Sequence, residues 1–359
     1  MRTSIALLAT ALCTACSVSP SYYWQAAGGQ IELLRAAQPI AEIEANPDTP
    51  EALRQRLALV QQLRRFASDE LGLAASRGFD RYADLKRPYV LWNVFAAPAL
   101  SNQSKEWCVP VAGCVGYLGY FSLDDAKAQA ASLKAEGMDV YVGGVPAYST
   151  LGWFSDPVLS TYVQWPELEL ARLIFHELAH QVVYVKGDTE FNESFAVAVE
   201  QAGLRRWAGQ ADKAALLPEF ERSRMVRSDF AELVLQTRGE LQKLYAEPLP
   251  EAEKRERKAS LIAQMQVRYR QMRDEQWQGF NGYDRWFAQD INNAQLNSVG
   301  FYSRWVPAFQ ALLAREGDDL PRFYAAVKLL AQQTEAQRHR SLLALEGPEP
   351  ATGGLARVD

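Results

Sequence analysis

The chain is poor in histidine and cysteine, and it has no excess of positive charge. Only three of its 359 residues are histidine and four are cysteine. Its 38 basic and 43 acidic residues give a formal net charge of -5, which offers no positive field for a phosphate backbone. We therefore expect no nucleic-acid partner. Hydrophobic residues make up 48% and charged residues 23%, a balance typical of a folded chain with a sizeable core.

The N-terminal apolar run is too short to span a bilayer. The stretch MRTSIALLATALCTAC places Arg2 before an apolar run over residues 5–12 and small residues directly before Cys16, which is the layout of a secretory signal. It resembles a bacterial lipoprotein signal, in which residues 1–15 are removed and Cys16 is lipidated; an ordinary secretory peptide cut nearby is the alternative. We expect export and a membrane anchor through Cys16. Because Ser17 is not acidic, we expect the lipid anchor to lie in the outer membrane and the protein to face the periplasm.

Two cysteines remain outside the signal region, Cys108 and Cys114. They are separated by five residues that include a proline and a glycine. In an oxidising compartment we expect this pair to form a disulfide that closes a small loop. Zinc ligation by the pair is the weaker hypothesis, because no further cysteine or histidine lies near it in the sequence.

The spacing of hydrophobic residues in segment 22–165 differs from that in segment 166–345. In the first part, the spacing predicts helices over 25–45, 50–71 and 123–137, and strands over 88–98, 114–122 and 138–150. In the second part, it predicts helices over 166–186, 190–207, 217–245 and 250–277. The pattern indicates an α+β fold, with a small mixed sheet and helices followed by a mainly helical C-terminal half. We treat residues 16–345 as one domain and expect the tail, 346–359, to be disordered.

Two of the three histidines occur together in the stretch LIFHELAH. His176 and His180 are four residues apart, so on a helix their imidazoles point the same way and can reach one tetrahedral Zn²⁺. Glu177, between them, is placed to hold a water at that ion. The alternative is a pair of histidines on a partly apolar helix, satisfied by ordinary hydrogen bonds. So few histidines make a chance pairing at this spacing rare, and the sequence favours a zinc site.

A third ligand must come from elsewhere in the chain. His339 lies in a charged stretch near the tail, where we expect a solvated surface residue. We expect Glu193 instead, early in the next helix and facing back toward the histidines. Asp188 and Glu190 are alternatives, although acids at a helix start ordinarily complement its dipole. Glu200, on the same helical face as Glu193, either supports a ligand, meets a substrate amine or is a plain surface carboxylate.

These motifs resemble those of a known group of enzymes. The HELAH helix and the following NESFA helix are similar to the gluzincin branch of zinc metallopeptidases. More narrowly, the chain resembles a bacterial family of predicted zinc aminopeptidases, mostly lipoproteins, through YYWQAAGGQIELL, AGCVGYLGYF, AYSTLGWFSDPV, HELAHQ, FNESFA and NNAQLNSVGFYSRWVPAF. The resemblance implies a zincin-like active-site helix and zinc-dependent peptide cleavage, and the label of aminopeptidase rests on it alone. Val197 departs from the gluzincin pattern, which often has an acid there to support the first histidine.

A second donor is expected for the charge that develops on the substrate carbonyl oxygen. The sequence offers no further histidine for this role, so we consider Tyr302 as the donor. The chain has 15 tyrosines, and the alternative is that Tyr302 packs in the core. Asn292 and Asn293 are candidates for hydrogen bonds to the substrate backbone, or for capping a helix.

The strand that leads toward the HELAH helix is a further candidate for substrate binding. Tyr148, Ser149 and Thr150 end this strand, and an exposed strand edge can pair with an extended peptide. An ordinary edge strand is the alternative.

The sequence as a whole favours zinc-dependent peptide hydrolysis, with Glu177 as the general base. A zinc hydrolase that acts on a non-peptide amide would use the same residues, and a non-catalytic zinc-binding lipoprotein is the remaining alternative. A closed structural site would not need the glutamate between the histidines. The sequence gives no indication of the oligomeric state.

Overall fold

A computed structural model of the chain describes residues 18–73, 78–109, 113–147, 155–300 and 304–346. It has the α+β fold that the pattern predicts, with short strands confined to the N-terminal half and helices dominating the rest. Among the described residues, no helix combines the length and the apolar character needed to cross a membrane.

The N-terminal half alternates helices with short strands. In chain order, its elements are α1 Pro20–Ala36, β1 Ala37–Pro39, α2 Ile40–Ala45, α3 Glu51–Asp69, β2 Arg81–Ala83, β3 Leu91–Pro98, β4 Trp107–Val109, β5 Gly113–Val115, β6 Tyr117–Tyr120, α4 Leu123–Ala135, β7 Met138–Val145 and β8 Val158–Leu159. The single helix predicted over 25–45 is wrong, because β1 interrupts it. Pro39 has no N–H to continue a helical ladder, and it holds the residue before it in an extended conformation.

The central sheet has the strand order β6-β3-β7, and both pairings are antiparallel. Side chains alternate across β3, so that Val94 and Ala96 pack into a core that includes residues of α4, while Leu91 and Asn93 line a cavity on the opposite face. β1, β2 and β8 form a second small sheet. The strand predicted over 114–122 is divided between β6 and a separate hairpin of β4 and β5.

The disulfide that the sequence predicts is present in this hairpin. Cys108 and Cys114 are cross-strand partners on β4 and β5, and a disulfide joins them. Val109 and Val115 of the same hairpin line the cavity. The hairpin is therefore a covalently closed part of the cavity wall.

The C-terminal half is helical, as predicted. Its elements are α5 Glu167–Ala179, α6 Thr189–Ala208, a 3-10 helix Ala211–Leu216, α7 Leu217–Ala246, α8 Glu251–Gln271, a π-helical turn Met272–Gln276, α9 Asp284–Phe287, α10 Asn293–Gly300, α11 Val306–Arg315, α12 Leu320–Ala331 and α13 Glu335–Leu345. α5 and α6 lie in the largest core, which includes Phe175, Phe191 and Phe195.

α5 ends earlier than the sequence predicts, at Ala179 instead of at residue 186. The segment that follows contains three valines, whose β-branched side chains fit a helix less well. Asn192, on α6, also holds the turn by bonding both the N–H and the C=O of Val185, each at 2.8 Å. Gly187, with φ +84°, then reverses the chain into α6. This tight turn brings the start of α6 back against the end of α5.

Candidate metal centre

His176, His180 and Glu193 meet where α5 packs on α6. His176 is 8% exposed and His180 is 7% exposed, so both imidazoles are buried. Their Nε2 atoms are 3.2 Å apart, and Oε2 of Glu193 lies 3.1 Å from Nε2 of His176 and 3.7 Å from Nε2 of His180. The structure thus brings together the two histidines and the carboxylate that the sequence suggested.

The spacing of these three donor atoms fits one metal ion. Bonds of about 2.0 to 2.1 Å in a tetrahedral zinc site place neighbouring ligand atoms about 3.3 Å apart. The three separations, 3.1, 3.2 and 3.7 Å, fall around that distance. His176, His180 and Glu193 could therefore hold a divalent cation with a corner left for another ligand.

Glu200 supports the first histidine. Its Oε2 accepts a hydrogen bond from Nδ1 of His176 at 3.0 Å, and the residue is only 4% exposed. A carboxylate on Nδ1 fixes the orientation of the ring, so that Nε2 faces Glu193 and its lone pair would be available to a metal ion bound between them. Glu200 is therefore not a plain surface carboxylate, and it supplies the support that Val197 cannot. Its two-turn spacing from Glu193 was the only signal for this role in the sequence.

The electrostatic environment of the cluster favours a positive charge. Burial alone would lower the pKa of His176, but hydrogen bonds to Glu193 and Glu200 outweigh it and raise the pKa to about 10. Burial opposes ionisation of Glu193, yet His180 and His176 hold its pKa well below the usual range. The two carboxylates thus stabilise a cation between them, whether it is a proton or a metal ion.

Glu177 lies beside this cluster and lines the cavity. Burial raises the pKa of its carboxyl, and the charges of His176 and His180 oppose that change. A glutamate with a raised pKa can accept and return a proton more readily near neutral pH. Its position agrees with the general-base role expected from the sequence.

The cavity in front of the cluster has a volume of about 1070 Å³. One face of the central sheet, the disulfide hairpin and helices α5, α6 and α7 form its walls. Such a volume is large enough for several residues of a peptide.

Two tyrosines that line the cavity interact electrostatically with carboxylates at the cluster. Burial raises the pKa of Tyr117 well above its usual value, with a further contribution from Glu193 and Glu177, and burial and Glu193 raise that of Tyr184. Both residues line the cavity. The sequence could not single them out, because strand pairing and the α5–α6 turn place them there.

The structure gives Asn292 and Asn293 a different role from substrate binding. Asn293 is fully buried, and its amide donates to the carbonyls of Pro98, Ala99 and Ser101. Its Oδ1 accepts from the hydroxyl of Tyr245, and Asn292 donates to the carbonyl of Val140. These bonds tie α10 to the sheet, and Oδ1 of Asn292 also accepts from the N–H of Gln295, which is the helix-capping role that the sequence offered as the alternative to substrate binding.

The other acids and the third histidine lie apart from the cluster. Asp188 caps α6 by accepting from the N–H of Phe191, and it also pairs with Arg338 and His339. His339 is therefore a half-buried hydrogen-bond partner of Asp188 instead of a solvated surface residue. Glu190 lies in the first turn of α6, as expected for a residue that complements the helix dipole.

Several predicted residues lie outside the described part of the chain. They are Cys16, Tyr148, Ser149, Thr150 and Tyr302.

The fold and site together define a mainly helical protein whose buried two-histidine, one-glutamate cluster opens on a peptide-sized cavity. A family model described as "Putative aminopeptidase" matches residues 21–342. The chain belongs to this family, and its membership supports the assignment of the protein as a peptidase. A search of curated proteins found no match, and neither did a search of solved structures.

Proposed function

We propose that the chain is a zinc-dependent aminopeptidase in which Glu177 is the general base. The convergence of His176, His180 and Glu193, with separations suited to one tetrahedral ion, carries this proposal. Family membership supports peptide hydrolysis in general.

Zinc bound by these three residues supplies a Lewis acid that polarises the scissile carbonyl and makes water more acidic. Glu177 takes a proton from the attacking water and passes it to the leaving amine. Glu200 keeps the ring of His176 in one orientation through its bond to Nδ1. No covalent bond between protein and substrate is needed.

Tyr117 is our candidate for the donor to the carbonyl oxygen as negative charge develops there. It lines the cavity and interacts electrostatically with Glu177 and Glu193. A tyrosine phenol is protonated at neutral pH, and burial raises the pKa of Tyr117 further, so its hydroxyl can donate a hydrogen bond.

A substitution of the base tests the proposal. Glu177→Gln removes the proton acceptor and retains the size of the side chain, so we expect zinc binding to persist and kcat to fall at least ~100-fold. Zinc content and cleavage of a peptide library are measured together, with the exposed Glu136→Gln as control. Equal activity of wild type and Glu177→Gln would contradict the proposal.

The choice of bond separates an aminopeptidase from other hydrolases. We expect the enzyme to remove residues from free amino termini and to leave N-acetylated copies of the same peptides intact. Mass spectrometry of the products distinguishes these outcomes. Cleavage within blocked peptides would retain a peptidase but exclude the aminopeptidase assignment.

A further inference from the structure

A series of alternating charges extends from the metal cluster to helix α7. Glu200, which bonds Nδ1 of His176, has the same Oε2 atom 3.5 Å from Nη1 of Arg172. Nε of Arg172 donates to Oε2 of Glu169 at 3.0 Å. Arg227, on α7, donates to both oxygens of Glu169 at 2.7 and 3.2 Å. We call Glu169, Arg172, Glu200 and Arg227 the charge network.

Arg172 lies on the same face of α5 as the two histidines. Arg172 is four residues before His176, and His176 is four before His180, so all three side chains share one face of the helix. Arg172 therefore reaches Glu200 from the same side as the histidine that Glu200 holds. The HELAH motif is thus one part of a longer functional face that begins one turn earlier.

Burial explains why Glu200 needs a cationic partner. Its side chain is only 5% exposed, and once a metal ion is bound to His176 in its neutral form, a buried carboxylate with no other partner would bear a large desolvation cost. Arg172 supplies the compensating charge. Its own planar guanidinium is held in place from the other side by Glu169, so the orientation of Glu200 depends on both residues.

We propose that Arg172 is a positioning residue for the metal centre: it holds Glu200 on Nδ1 of His176, and Glu169, itself bonded by Arg227, holds Arg172. Arg227 and Arg172 both line the cavity, so the network also joins the substrate-binding wall on α7 to the ligand helix α5. This inference rests on the proposed function, because it assumes that His176 binds a metal ion.

Zinc affinity, measured without any substrate, tests the inference. Competition with a chromophoric chelator gives the dissociation constant for wild type, Arg172→Met, Arg172→Lys and Glu169→Gln. We expect Arg172→Met to weaken zinc binding by up to about 10- to 100-fold, the usual effect of losing the outer partner that Arg172 positions, and Arg172→Lys to recover part of it. Arg238→Met, which removes a partly buried arginine from α7, is the control and should bind zinc like wild type.

A double-variant cycle separates positioning from a general loss of structure. If Arg172 acts through Glu200, Arg172→Met combined with Glu200→Gln binds zinc no more weakly than Glu200→Gln alone. Losses that multiply independently would overturn the inference, as would wild-type affinity in Arg172→Met.

Two further outcomes have defined meanings. If Arg172→Met does not fold, Arg172→Lys and Glu169→Gln decide the matter: a several-fold loss of zinc affinity supports the inference, and wild-type affinity in both overturns it. Failure of the wild-type chain to bind zinc would instead contradict the proposed function.

Discussion

Glu193 is the residue on which the metal centre depends most, because its carboxylate faces both imidazoles at once. Glu193→Gln keeps the side-chain shape and removes the negative charge that a divalent cation requires. We expect zinc affinity to fall by more than the roughly 10- to 100-fold associated with an outer partner. Isothermal titration with zinc measures this, and Glu190→Gln, three residues earlier, is the matched control. Equal zinc affinity in the two variants would contradict the assignment of Glu193 as a ligand.

The sequence alone predicts some residues of the metal centre and misses others. His176, Glu177 and His180 could be predicted because helical geometry alone relates residues four apart. Glu193 required only the further assumption that two consecutive helices fold back on each other. Arg172 could not be recognised, because its role depends on a carboxylate 28 positions later in the chain that only tertiary packing brings near.

At the scale of elements, the ion pair between Glu169 and Arg227 joins α5 to α7. Burial would raise the pKa of Glu169, but Arg227 and Arg172 lower it from 4.5 to about 2. Since the folded-state pKa is depressed, this pairing stabilises the protein above the unfolded-state pKa and is lost as the pH falls from about 4.5 toward 2.

Urea unfolding of Glu169→Gln and of wild type at several pH values measures this contribution. At pH 7 we expect the variant to be less stable by up to about 3 kcal/mol, the equivalent of the pKa change. The difference should shrink as the pH falls toward 2, while Glu136→Gln follows wild type throughout. A difference that does not vary with pH would show that the ion pair contributes no stability.

The hairpin of β4 and β5 gives a second prediction at this scale. Replacing Cys108 and Cys114 together with serine removes the disulfide that closes a cavity wall. We expect a loss of roughly 2 kcal/mol in unfolding free energy and a higher KM with little change in kcat. Peptide kinetics with and without a reducing agent measure the change in KM, and the KM of the double variant should not respond to the reductant. An unchanged KM would mean that the hairpin does not shape substrate binding.

The elements that the sequence misplaced have identifiable causes. Strands of two or three residues, such as β1 and β8, are too short to produce a periodic signal. The early end of α5 depends on Asn192, whose bonds to Val185 cannot be read from local spacing. The long helices α7 and α8 were predicted well, because many turns of consistent spacing define each one.

For the whole molecule, we propose export and anchoring through a lipid on Cys16, with the outer membrane as the site. The signal-like sequence before that cysteine supports this proposal. We expect the wild-type chain to fractionate with membranes in a bacterial host and Cys16→Ser to become soluble or to keep its signal. Mass spectrometry of the mature amino terminus and fractionation test this. Equal fractionation of both forms with an unmodified terminus would contradict the anchor.

The most direct test of the whole account is to locate the metal. Diffraction data collected above and below the zinc absorption edge reveal zinc through its anomalous signal. We predict one strong peak within bonding distance of Nε2 of His176, Nε2 of His180 and the carboxylate of Glu193. A peptidase that is fully active with no zinc at these three residues, or with zinc bound only elsewhere, would contradict the account.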